Sequence, residues 1–129
     1  MANRGAKQML AEANAAVETI DAETAKAMHG GNGNIFVDVR ETIERQQTGS
    51  VAGAMHVSRG FLEFQADPDM PGFNPVFGEA ARLVLYCASG GRSALAAKTL
   101  RDMGYDNVCH VAGGFNGWLE AGGPVEQAD

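Results

Sequence analysis

Apolar residues in this chain gather in short, nearly continuous runs separated by segments of longer period. Leu83–Val84–Leu85–Tyr86 is the clearest run, and its β-branched and aromatic members predict a buried strand. Ile35–Val39 and Val108–Val111 have the same character, and Val17–Ile20 is a shorter candidate. Ala54–Val57 is short and interrupted by His56, which predicts an edge strand. Helical patterns lie between these runs. Residues 6–15 are strong helix formers with Met9 and Ala13 on one side, fit to dock on the domain or to serve as a contact arm; docking is the favoured reading. Asp21 is placed to cap a helix over Ala22–His29, which Gly30–Gly31 ends. Thr42–Gln47, carrying Ile43, reads as a short helix closed by Gly49. Ser58 is placed to cap Arg59–Gln65, with Phe61, Leu62 and Phe64 burying one side. After Ser93, Ala96, Leu100 and Met103 share a face, and Gly104 offers the left-handed exit. Asn116–Ala121 follows Gly113–Gly114, with Trp118 and Leu119 expected to pack on the sheet. Strands alternating with helices predict a three-layer α/β domain around a parallel sheet. Residues 66–77 have no period and hold three prolines, so they form a long excursion that Met70, Phe73 and Phe77 are expected to pin down.

Composition narrows the function classes. The 129 residues suit one domain, and 16 acidic against 10 basic residues give a net charge of −6. That charge argues against nonspecific nucleic-acid binding. No apolar run reaches the roughly 18 residues of a membrane span, and the start has no export-signal pattern, so a cytoplasmic protein is expected. His29, His56 and His110 stand alone, without metal-ligand spacing, and no metal or cofactor is expected. Of the two cysteines, Cys109 sits inside an apolar run and reads as an inert buried thiol. A reduced pair is the default in a cytosolic setting.

Cys87 is different, because it stands where a strand stops. Ala88, Ser89, Gly90 and Gly91 follow it, then Arg92 and Ser93 open a helix. A loop wound around its own thiol turns N–H groups inward, and the helix adds its positive end. Both favour a thiolate or an anion beside it. Ser89 and Ser93 hydroxyls are placed to assist, although Ser93 also suits an N-cap. Asp38, Arg40 and Arg59 lie at other strand ends on the same rim. Asp38 and Arg40 read as a structural ion pair, and Arg59 as a further partner of Asp38. Glu44 and Arg45 read as solvated, and no histidine is expected beside Cys87. Side chains at Gly113 or Gly114 would crowd the Cys87 loop.

Cys87-x4-Arg92-Ser93 after a strand resembles the active-site loop of the rhodanese (sulfurtransferase) family. Asp38–Val39–Arg40–Glu41 with Gly49, Gly53–Ala54 and Arg59–Gly60 resembles the front half of that domain. Gly104–Tyr105, Val111–Trp118 and Gly122–Val125 resemble its back half. The resemblance implies a five-stranded parallel sheet and a rhodanese-like domain over 17–125, between a helical extension (1–16) and a short tail (126–129). It implies double displacement: the Cys87 thiolate takes a sulfane sulfur from a small anionic donor such as thiosulfate or a persulfide, then yields it to a thiol or cyanide. Arg92 would brace the loop and stabilise anionic groups, and the amides of residues 88–93 would hold the persulfide. A protein sulfur acceptor is the main alternative, with a monomer or weak dimer expected. Cys-based phosphatases and arsenate reductases use Cys-x5-Arg, one residue more than here, and a non-catalytic module would not need both Cys87 and Arg92. The loop has one positive charge, with Ala88 and Gly91 where a second base would sit, which disfavours thiosulfate as the physiological donor.

Overall fold

In the computed structural model, which describes residues 3–128, the chain runs α1 (Ala6–Ala16), β1 (Glu18–Ile20), α2 (Ala22–Met28), β2 (Asn34–Asp38), α3 (Thr42–Thr48), β3 (Ser50–Val51) and β4 (Met55–His56). It continues through α4 (Leu62–Ala66), α5 (Val76–Glu79), β5 (Arg82–Tyr86), α6 (Gly91–Asp102), β6 (Val108–Val111), α7 (Gly114–Glu120) and β7 (Val125–Glu126). Five strands form a parallel sheet in the order β1-β6-β5-β2-β4, with short β4 at the edge.

The apolar run of β5 divides by pleat, because successive side chains point to opposite faces. Leu83, Leu85 and Cys87 enter one core with Leu62, Phe77, Ala96 and Leu100 beneath α4, α5 and α6. Val84 and Tyr86 enter the other with Phe36, Val111, Phe115 and Trp118 beneath α2 and α7. Burial on both faces is why the strand lacks polar alternation. Helix α1 docks against α6, with Ala13 fully buried.

The capping of α2 follows its sequence: the Thr24 amide donates to Asp21 Oδ1 at 2.8 Å. Other elements differ from expectation. Ser58 makes no cap; a 3-10 turn over Arg59–Phe61 precedes α4. Phe61 and Phe64 are exposed and only Leu62 enters the core, because five α-helical residues present too narrow a stripe to bury all three. Met103 and Leu119 also face solvent, Met103 lying past the end of α6. Within the 66–77 excursion Phe77 is buried and lies in the first turn of the unanticipated α5, while Tyr105 donates to the Ala66 carbonyl at 2.6 Å. A second, two-stranded antiparallel sheet pairs β3 with β7, so Glu126 is held in a strand and its carboxylate accepts from the Gly53 amide. β3 and β7, each two residues long, carry no periodic signal of their own and are not among the expected strands.

Candidate active site: the Cys87 loop

Cys87 follows directly on β5 and is almost fully buried at the floor of the loop. Gly90, at φ +115°, turns the chain back so that its amide donates to Cys87 Sγ at 3.1 Å. The Ser93 amide lies 3.4 Å from the sulfur and the Ser93 hydroxyl 3.6 Å. The twelve-residue α6 begins at Gly91, directing its positive end to the same place. Burial pushes the thiol pKa up, but the hydrogen bonds of Ser93, Gly90 and Ser89 outweigh it and hold the thiol below its ordinary value. Cys109, on the other face of the sheet, has burial with no such cup, and its thiol is raised. Both cysteines are free.

The loop is clamped from behind. The Phe115 amide donates to the Cys87 carbonyl at 2.7 Å and the Asn116 amide to the Ala88 carbonyl at 3.1 Å. Such close approach requires Gly114, at φ +55°: a Cβ there would lie 2.5 Å from the Cys87 oxygen. Gly114→Ala is therefore expected to lower the melting temperature and to slow alkylation of Cys87, since relieving the clash displaces the loop. A left-handed alanine costs about 1–2 kcal/mol before any clash. Native-like melting together with native-like thiol reactivity would contradict the clamp.

Asp38 and Arg40 form the expected ion pair at 2.8 Å, both buried. Arg40 also donates to Thr48 Oγ1 and the Gly49 carbonyl, and its guanidinium lies 4.4 Å from the Phe115 ring centroid. The Tyr86 hydroxyl donates to Asp38 at 2.9 Å. Burial and the adjacent Asp38 carboxylate raise the Tyr86 pKa far above the phenol range.

Three residues around the site are placed otherwise than expected. Arg59 does not pair with Asp38; it binds Glu63 at 2.9 Å and Thr99 at 3.0 Å. Asp38 is already occupied by Arg40, with Arg45 at 3.3 Å, so Arg45 is not simply solvated. Glu44 is not solvated either: its two oxygens accept from both terminal nitrogens of Arg92 at 2.7 and 2.9 Å. Arg92, on the first turn of α6, thus faces a carboxylate from α3 in a half-exposed pair. The Arg92 hydrogen bond lowers the Glu44 carboxyl from 4.5 to about 2. The pair's contribution to stability is complete above the ordinary carboxylate value and declines as pH falls toward 2. Glu44 doubles as a cap for its own helix, accepting from the Glu41 amide at 2.9 Å.

The histidine expectation also fails. His110 Nδ1 lies 3.0 Å from Ser93 Oγ, one hydrogen bond from the Cys87 sulfur. Strand register held the signal: His110 pairs with Leu85, so it shares a face with Leu85 and Cys87. No group of three or more His, Cys, Asp or Glu among the described residues is arranged to hold a metal ion. No described helix is long and apolar enough to cross a membrane.

Comparison with known proteins places this geometry among others. The solved structure of a Rhodopseudomonas palustris protein of unknown function, described as a possible tyrosine phosphatase, superposes with a TM-score of 0.95 at 45% identity, covering 98% of this chain and 97% of that one. The thiosulfate sulfurtransferase GlpE of Actinobacillus succinogenes is 37% identical over 95 residues, spanning 73% of this chain and 77% of the relative. Protein HIGH ARSENIC CONTENT 1, mitochondrial, of Arabidopsis thaliana is 31% identical over 110 residues, 82% of this chain and 64% of that protein. The rhodanese-like domain model matches residues 21–121, which include the Cys87 loop, the Asp38–Arg40 pair and the Gly114 clamp. On fold, loop and sequence together, the chain belongs to the rhodanese-like domain family.

Proposed function

We propose that this chain is a sulfurtransferase in which Cys87 carries the transferred sulfur as a persulfide. The observation that supports this best is the convergence of the Gly90 and Ser93 amides and the Ser93 hydroxyl on one sulfur at the start of a helix. A thiol at its ordinary pKa is only a few per cent ionised at about pH 7. The cup supplies the thiolate and donors for the charge of a terminal persulfide sulfur. The thiolate attacks the outer sulfur of a donor, the bond from that sulfur to its leaving sulfite or thiolate breaks, and a nucleophilic acceptor later displaces Cys87 from the bound sulfur. Relatedness to thiosulfate sulfurtransferases supports the same reaction class.

Phosphoryl or arsenate chemistry is the second reading, prompted by the description of the Rhodopseudomonas protein and the name of the Arabidopsis relative. Two features weigh against it. Only four residues separate Cys87 from Arg92, so the cup is small for a tetrahedral oxyanion. Arg92, which would have to grip that oxyanion, is bound by Glu44. The deciding experiment assays one preparation for sulfur transfer to cyanide and to a thiol, for aryl-phosphate hydrolysis and for arsenate reduction. Sulfur transfer alone is expected. Phosphatase or arsenate reductase turnover dependent on Cys87, with no transfer from thiosulfate or persulfide donors, would replace the proposal.

Glu44 has a consequence for donor choice. It neutralises the loop's one cation, so a dianionic donor meets less attraction than Arg92 alone would provide. Glu44→Gln can keep the helix cap through its carbonyl oxygen while removing the negative charge and one of the two hydrogen bonds that hold the Arg92 guanidinium. It should raise kcat/KM for thiosulfate by roughly tenfold, the worth of one charge-assisted hydrogen bond in a partly solvated site. An unchanged or reduced value would show that the pair does not restrain anion binding.

A further inference from the structure

We propose that His110 is a positioning residue for the nucleophile: it accepts the Cys87 proton through Ser93, with Asn14 and Thr19 holding its ring. This rests on the reading of Cys87 as the reactive thiol. The hydrogen bonds run in one direction. Asn14 Oδ1 lies 3.0 Å from His110 Nε2 and can only accept, so Nε2 carries a hydrogen in the neutral ring. The Thr19 hydroxyl donates to the same Asn14 oxygen at 3.4 Å, leaving its lone pairs toward Nε2 at 3.1 Å. Nδ1 is therefore the unprotonated nitrogen and accepts from the Ser93 hydroxyl at 3.0 Å, the nearer of that hydroxyl's two acceptors, since the Gly90 carbonyl lies at 3.2 Å. That orientation leaves a lone pair on Ser93 Oγ to receive the Cys87 S–H at 3.6 Å.

Ionisation then moves two protons along one line. The S–H bond breaks as an Oγ–H bond forms, and the former Oγ–H bond breaks as Nδ1–H forms. The products are a thiolate and an imidazolium bridged by a neutral serine, with no change in net charge and no redox step. Ser93 now donates to the thiolate, while the imidazolium donates from Nδ1 to Ser93 and from Nε2 to Asn14. Every polar atom keeps a partner in both states, as a buried network requires. His110 itself is buried, but it borders a cleft of about 470 Å³ that Leu10, Asn14, Thr19 and Gly90 also line. That cleft gives the ring a route for proton exchange with water.

The surrounding charges are few. From α6, Arg92 acts on the thiol; from α3 and its cap, Glu44 and Glu41 act on Arg92. The groups hydrogen-bonded to His110, from α1, β1 and α6, are all neutral. Burial alone lowers its pKa, so the imidazolium is favoured chiefly when the thiolate forms. The N-terminal helix thereby enters the active site through Asn14, a role distinct from covering the core.

The test is the pH dependence of Cys87 alkylation by iodoacetamide in the full chain, followed by mass of the Cys87 peptide. His110→Phe and Ser93→Ala should each raise the midpoint by about one unit, making alkylation about tenfold slower at about pH 6. The double variant should add little to either, since both cut one line. Asn14→Asp should move the midpoint the other way, because a carboxylate on Nε2 stabilises the imidazolium. In the native protein, the ¹⁵N signature of the His110 imidazolium should persist through the thiol midpoint, and in Cys87→Ala the ring should already be neutral at that pH. Coincident native and His110→Phe profiles, or a His110 ring neutral across the thiol midpoint, would overturn the proposal. Should His110→Phe fail to fold, Asn14→Asp and the ring signature decide it. A coupled titration with no sulfur ever found on Cys87 would refute the sulfurtransferase reading and leave the coupling standing.

Discussion

Cys87→Ser is expected to abolish both sulfur transfer and sulfur loading. After incubation with a sulfane donor, the native chain should gain the mass of one sulfur atom, and cyanide should remove it. The serine variant should gain nothing, while Cys109→Ser should load as the native protein does. The reason is chemical and local. The cup lowers the Cys87 pKa by converging donors on sulfur, whereas burial raises that of Cys109 and outweighs the opposing effect of Arg82. A serine hydroxyl in the same cup has an intrinsic pKa far too high for these donors to ionise it, so no residual transfer of comparable rate should remain. The variant should fold, because oxygen is smaller than sulfur and Ser93 and Gly90 can donate to it. A persistent, cyanide-sensitive sulfur on Cys87→Ser would refute the assignment of the carrier. Loading of the native chain that survives in Cys87→Ser but disappears in Cys109→Ser would move the site to β6.

How much of this was legible depends on the range of the interaction. Local signals carried the strands: the β5 run, the Asp21 cap and the strand–loop–helix context of Cys87 are written in adjacent residues. Gly114 was legible too, because glycine beside a second tight turn implies close backbone approach, and the Cys87 carbonyl is what it approaches. Contacts between distant elements were harder. Glu44 and Arg92 are 48 positions apart, and nothing in a helix of seven residues marks one glutamate as a partner rather than a solvated charge. His110 was recoverable in principle. Period-two alternation along β5 and β6, with Leu85 opposite His110, puts it on the Cys87 face. What the sequence lacked was the register, since a slip by one residue would have sent His110 to the opposite core. The Asp38–Arg40 pair was legible because its members are two residues apart, but Arg59 was read as a further partner although Arg40 fills both carboxylate oxygens.

That last pair carries the largest expected effect on stability. Arg40→Ala would leave Asp38 fully buried with the Tyr86 hydroxyl, the residue 40 amide and a more distant Arg45 as its remaining partners. It would also leave the Gly49 carbonyl without its donor and the Phe115 ring without the guanidinium above it. Removing one member of a buried ion pair costs about 3–5 kcal/mol, because the other charge stays desolvated. Arg45, at 3.3 Å, can turn toward the carboxylate and recover part of that, so a loss of about 3 kcal/mol is expected. Urea unfolding should show it as a lower midpoint with little change in slope. A loss below about 1 kcal/mol, the range of exposed pairs, would mean that Asp38 is not held by Arg40. Arg40→Ala combined with Asp38→Asn should recover stability, since the double variant removes the stranded charge. The loop should register the change as well. Arg40 underlies Phe115, and the Phe115 amide holds the Cys87 carbonyl at 2.7 Å. In Arg40→Ala, sulfur transfer should therefore fall even at temperatures where the variant is fully folded.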